Sequence, residues 1–137
     1  MARILIVEDE FLIAMCIGDE LTDAGHDVVG VAADYAGAVD LARRHRPDMA
    51  VVDVRLASAR DGIEVALTLR EELGIPCLLA TGSDHPANIA RAAAADPLGW
   101  LSKPYVPSDL VRLVARVEEG HPSGGKDEFP QKPFGQP

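Results

Sequence analysis

Short apolar runs alternate along this chain with longer stretches in which apolar residues return every three or four positions. The runs occupy residues 3–7, 27–32, 49–54, 76–80 and 99–102. They are continuous rather than alternating, the pattern of strands covered on both faces. The intervening stretches have helical spacing. The first places Leu12, Ile13, Cys16, Ile17 and Leu21 on one stripe, with Gly25 positioned to close the helix. A second carries Ala38, Val39, Leu41 and Ala42 and must stop before Pro47. A third holds Ile63, Ala66, Leu67 and Leu73 and ends at Gly74. The fourth begins near Asp84, a candidate N-cap with Pro86 in the first turn, and runs on through the Ala-rich 89–95. The fifth starts around Pro107 and Ser108 and carries Leu110, Leu113, Val114 and Val117. Strand and helix alternating five times predict an α/β fold, a parallel sheet with helices on both faces and right-handed crossovers.

After Glu119 the pattern ends. Residues 120–137 are rich in Gly and Pro and have no periodicity, so the folded unit is expected over 1–119 with a flexible tail behind it. Phe129 and Phe134 in that tail are the residues a short docking motif would use.

Composition narrows the class. A chain of 137 residues, 47% apolar and 26% charged, suits one globular domain with a core of its own. No apolar run reaches the ~20 residues of a membrane span, and no signal peptide opens the chain, so a cytoplasmic protein with no membrane partner is expected. The net charge of −9 argues against nucleic acid, whose binding needs clustered Lys and Arg. Cys16 and Cys77 lie in apolar stretches without metal-ligand spacing and read as two small buried hydrophobes.

Candidate chemistry sits at the ends of the predicted strands, because open parallel sheets bind ligands outside their carboxyl edge. The first run ends in Glu8-Asp9-Glu10, the third in Asp53, the fourth in Thr81-Gly82-Ser83 and the fifth in Lys103-Pro104. Taken singly these are ordinary: an Asp after a strand often makes a turn or a cap, and acids before a helix favour its dipole. Taken together they would bring Glu8, Asp9 and Asp53 into one crevice, where the repulsion calls for a hard divalent cation with oxygen ligands, Mg²⁺ above all. Lys103 adds a positive charge and Thr81 a hydroxyl, while Gly82 leaves space. Such a set suits phosphoryl transfer, in which positioning and charge neutralisation dominate. An Asp nucleophile would form an aspartyl phosphate.

At these residues the sequence resembles the receiver domain of two-component response regulators, the fold shared with the chemotaxis regulator. Ile4-Leu5-Ile6-Val7-Glu8-Asp9-Glu10, Val51-Val52-Asp53-Val54, Ala80-Thr81-Gly82 and Leu101-Ser102-Lys103-Pro104 carry the likeness, which spans about 3–118. It implies a doubly wound, flavodoxin-like five-stranded sheet of order 2-1-3-4-5 with five helices. It implies Mg²⁺ held by Asp9, by Glu8 partly through water, by Asp53 and by the backbone carbonyl of Arg55. It makes Asp53 the phosphoacceptor, turns Thr81 toward the phosphoryl group and pairs Lys103 with one of its oxygens. It implies a cis Lys103–Pro104 bond, and a switch in which Thr81 moves and the aromatic Trp100, three positions before the lysine, turns inward.

The resemblance further implies phosphoryl supply from a histidine kinase or histidine phosphotransfer protein. Signalling would pass through the face formed by helix 4, strand 5 and helix 5, or the domain would act as a phosphate sink. A monomer or a phosphorylation-linked dimer would serve. With under twenty residues in the tail, a stand-alone regulator is expected rather than one with an output domain. The sequence departs from the common pattern after Asp53, where the loop Leu56-Ala57-Ser58-Ala59-Arg60-Asp61-Gly62 is one residue longer and lacks a proline. In that it resembles small alphaproteobacterial receivers, including those of general stress signalling. Arg55 and Ser83 stand at positions that tune dephosphorylation in the family, and Arg55 is expected to fold over the acid pocket. Two other classes were weighed on the residues. A phosphatase with an Asp nucleophile would want a second Asp where Arg55 stands, and a pseudo-receiver would lack an acid, the Asp or the Lys.

Overall fold

The structure is a computed structural model, and it describes residues 1–56, 58–82 and 86–120. The strands are β1 (Arg3–Val7), β2 (Asp27–Ala32), β3 (Met49–Asp53), β4 (Cys77–Thr81) and β5 (Gly99–Ser102). The helices are α1 (Phe11–Asp23), α2 (Tyr35–His45), α3 (Gly62–Thr68), α4 (Pro86–Ala92) and α5 (Pro107–Glu118). All strand pairs are parallel and the order is β2-β1-β3-β4-β5, the predicted topology.

Because successive strand residues point to opposite faces, each strand feeds two cores. Ile4, Ile6, Met49, Val51 and Leu78 pack under α1 and α5 with Ile17, Leu21, Leu110 and Val114. Leu5, Val7, Ala50, Val52 and Leu79 pack on the other face with Ala38, Ala42, Ile63, Leu69 and Ala92 from α2, α3 and α4 and the turn that continues α3. This is the physical content of the continuous apolar runs: neither side of β1, β3 or β4 meets water, while the edge strand β2 stays partly exposed.

Helix ends follow local chemistry. Asp34 caps α2 by accepting the Gly37 N–H (2.8 Å), and Asp61 caps α3 by accepting the Glu64 N–H (3.1 Å). The third helix does not run uniformly to Gly74. It widens into a π-helical turn over Leu69–Leu73, and Gly74 then closes it at φ +69°. The fourth is shorter than its Ala-rich sequence suggests, breaking at Ala92 into a 3₁₀ turn over Ala93–Ala95. The predicted caps and tuning residue Asp84 and Ser83, and the tail residues 121–137 with Phe129 and Phe134, lie outside the described residues.

One expectation is corrected on α1. Its buried residues are Ala14, Ile17 and Leu21, whereas Leu12 is 75% exposed and Cys16 is exposed too; only Cys77 is a buried thiol. Ala14, Ile17 and Leu21 share the side turned to the sheet, and at about 3.6 residues per turn Leu12 and Cys16 fall on the far side of the helix from them. Leu12 and Cys16 instead line a cleft of about 680 Å³ with Lys103, Pro104, Tyr105 and Pro107. Among the described residues no helix is long and apolar enough to cross a membrane.

Leu79 is fully buried in β4 opposite Trp100 of β5. Leu79→Ala is expected to cost about 2–5 kcal/mol, since neighbours in a packed sheet collapse only partly into the cavity; urea unfolding of the two proteins measures it.

Candidate functional site

Register builds the site. Ile6 pairs with Val51 and Val7 with Val52, so one step further along both strands Glu8 stands opposite Asp53. Asp53 pairs with Ala80, and Ala80 with Leu101. Paired residues of a parallel sheet share a face, so Glu8, Asp53, Ala80 and Leu101 form one row on the α1 and α5 side, and Lys103 follows Leu101 on that side by the period of two. Ala80 is the small member of the row. The low profile at that point lets the Lys103 side chain lie across toward Asp53, and its Nζ reaches Oδ2 at 2.8 Å.

The acids gather as the sequence predicts. Glu8, Asp9 and Asp53 each present a carboxylate oxygen within 4.8 Å of the others. Asp53 is 5% exposed and Glu8 4%. The second Asp53 oxygen, Oδ1, accepts the backbone N–H of Arg55 (3.1 Å), and Glu8 accepts the Glu10 N–H (3.1 Å). Burial pushes the Glu8 carboxyl up to about 7, against the pull of the Glu10 N–H and with help from the nearby Asp53 charge. Tyr105, two residues beyond Lys103, is likewise pushed up by burial and by the Glu8 and Asp53 charges. A donor set of carboxylates alone, too crowded to ionise freely beside a single lysine, fits a hard divalent cation.

The hydroxyl and the aromatic residue belong to the opposite face. Thr81 follows Leu79 by two, and Trp100 pairs with Leu79, so Thr81 and Trp100 are neighbours on the α3 and α4 side. Thr81 is 3% exposed and its carbonyl accepts the Lys103 N–H at 2.9 Å. Trp100 is 7% exposed and already packed in the core beneath α3 and α4. The Lys103–Pro104 bond is cis. A Cβ built at Gly82 would meet the Lys103 stem at an ordinary 3.7 Å, so nothing in the protein's own packing demands glycine there.

Arg55 departs from expectation. Its side chain is exposed, and the cation bonded to Asp53 is Lys103. Sequence reasoning also passed over Gly62. A Cβ there would lie 1.9 Å from the carbonyl oxygen of Asp53, an impossible overlap, and the Gly62 N–H donates to the Val54 carbonyl at 2.8 Å. Asp61-Gly62 looks like a loop signal; only the tertiary structure shows that the glycine lies against the backbone of Asp53.

The Glu8 shift has a sign. A carboxyl raised from 4.5 to about 7 by folding binds a proton more tightly in the folded state. Its stabilising contribution is complete below about pH 4.5 and is lost as pH rises through about 7, because there the folded state must bury a charge. Metal-free protein is therefore expected to lose unfolding free energy across that window, and Glu8→Gln to flatten the loss. Urea titrations at pH 5 and pH 8 with chelator present compare the two.

Similarity to known proteins agrees with this geometry. The family model described as the response regulator receiver domain matches residues 4–115. The transcriptional regulatory protein PdtaR of Mycobacterium tuberculosis is 37% identical over 112 residues, covering 82% of this chain and 54% of that protein. The phyllosphere-induced regulator PhyR of Methylorubrum extorquens is 29% identical over 116 residues, covering 84% and 43%. The chain thus spans about half the length of these curated relatives. Among solved structures, the signal receiver domain of a modulated diguanylate cyclase from Desulfovibrio desulfuricans G20 superposes with a TM-score of 0.80 at 34% identity, covering 88% of this chain and 96% of that one. Chemotaxis protein CheY4 of Vibrio cholerae gives 0.77 at 31%, covering 85% and 98%. With acids, lysine and threonine ordered along the sheet edge and the family model matched over most of its length, the chain belongs to the response regulator receiver domain family.

Proposed function

We propose that this domain is a Mg²⁺-dependent phosphorylation switch whose acceptor is Asp53. The observation that carries the reading is the setting of that carboxylate: buried at the sheet edge, bonded to Lys103 and the Arg55 N–H, and crowded by Glu8 and Asp9. Glu8, Asp9, Asp53 and the Arg55 carbonyl would hold the ion. Bound there, Mg²⁺ supplies neutralisation of charge on the transferred phosphoryl oxygens.

The chain's own residues supply the rest. A carboxylate oxygen of Asp53 attacks the phosphorus of the donor, a P–O bond forms to give an acyl phosphate, and the bond from phosphorus to the donor's leaving atom breaks with its electron pair. Lys103 exchanges its bond to Asp53 for one to a phosphoryl oxygen, and the Thr81 hydroxyl donates to another. As Thr81 shifts, the neighbouring Trp100 repacks and the surface of α4, β5 and α5 changes. The donor is a histidine kinase or a histidine phosphotransfer protein, and the output is a protein contact or the drain of phosphoryl groups between kinases. The domain catalyses no reaction other than its own phosphorylation and dephosphorylation. The net charge of −9 supports a protein partner rather than nucleic acid.

Incubation with a small phosphodonor is expected to add one phosphoryl group by intact mass with Mg²⁺ present and none with chelator. Asp53→Asn is expected to take up none. An adduct on the Asn variant would move the acceptor elsewhere, and no adduct on the wild type under rapid quench would leave a binding module without phosphoryl chemistry.

A further inference from the structure

Two residues outside the acid pocket connect α4 to the acceptor. Arg91, in the last turn of α4, forks onto Asp61: one guanidinium nitrogen lies 3.1 Å from Oδ1 and the other 3.0 Å from Oδ2. Asp61 is also the N-cap of α3, so its carboxylate orients the helix start and holds the arginine at once. The next residue is Gly62, the glycine with no room for a Cβ against the Asp53 carbonyl. On the other side of the same loop, Arg60 stacks on the Tyr35 ring of α2 at 3.7 Å, and Tyr35 bonds Thr68 at 2.7 Å. The segment that lies on the acceptor's backbone is therefore fastened to α2 through Arg60 and to α4 through Asp61.

We propose that Arg91 is a positioning residue for Asp53, acting through Asp61 and Gly62; the phosphoryl part of this rests on the reading above. The fastening to α4 is the one that bears on output. α4 has a single fully buried residue, Ala92, so the forked pair is a substantial share of what holds this short helix to the loop. Linkage makes the coupling reciprocal: a displacement of α4 alters the seat of Asp53, and a change at Asp53 is felt at α4. The path is separate from Thr81 and Trp100, which lie within the sheet rather than in the loop.

The test is a double-mutant cycle with Arg91→Gln and Asp61→Asn, the latter retaining a good N-cap while removing the charge. Two readouts are taken on each protein: hydrogen exchange of the Gly62 amide without phosphodonor, and the Mg²⁺ concentration needed for half-maximal phosphoryl uptake. Each single variant is expected to speed Gly62 exchange and raise the Mg²⁺ requirement by about two- to fivefold, the scale of a partly exposed ion pair. The double variant is expected to match the singles, and Arg91→Lys to recover part of the loss. Unchanged Gly62 exchange in Arg91→Gln, or single effects that simply add, would overturn the proposal. A wild type that takes up no phosphoryl group would strike the functional reading instead, while the exchange measurement still decides the coupling.

Discussion

Parallel register imposes a repulsion that the rest of this domain is arranged around. Strands β1 and β3 run side by side so that Glu8 and Asp53 emerge opposite one another, and Asp9 follows at once. Burying such a set is costly unless a counter-charge arrives. Lys103 answers part of the demand by bonding Asp53, and the amides of Glu10 and Arg55 answer a little more. The Glu8 carboxyl is still held up at about 7, chiefly by burial and further by the Asp53 charge. A site left short of positive charge fits a dication, and under the function proposed above a phosphoryl group would follow it. Resting stability and readiness for chemistry therefore oppose each other in the same few side chains.

The small residue in the row matters as much as the charged ones. Ala80 separates Asp53 from the strand that carries Lys103, and a branched side chain there would stand where the lysine crosses. On the reverse face the same strands pass Thr81 and Trp100 into a packed core. One sheet edge thus carries electrostatics on one side and packing on the other, successive residues of each strand turning to opposite faces.

Much of this was legible in the residues. Continuous apolar runs give strands covered on both faces, and acids, Asp, Thr and Lys at four run ends give the site, because strand ends converge by topology alone. What could not be read depended on which side of a helix meets the sheet and on contacts between distant residues. Leu12, Ile13, Cys16, Ile17 and Leu21 make a band too wide for one face: Ile17 and Leu21 meet the sheet beside Ala14, while Leu12 and Cys16 lie round the helix from them, and apolar type alone does not tell the two sides apart. Arg91 and Asp61 are 30 positions apart and each is an ordinary surface residue by type. Gly62 looked like punctuation because close backbone approach leaves no trace in a single sequence.

The loop after Asp53 is nailed at both ends. Val54 donates to the Ala80 carbonyl and Gly62 to the Val54 carbonyl, so the chain leaves the sheet and returns to it at almost the same point. Leu56 turns into the core just after the first of these bonds, and Arg60 and Asp61 reach α2 and α4 just before the second. Asp53, at the start of this loop, is held by Lys103 from the neighbouring strand's end rather than by the loop itself. A change of length between Arg55 and Asp61 would therefore alter the rim of the site while the two bonds that close the loop stay in place.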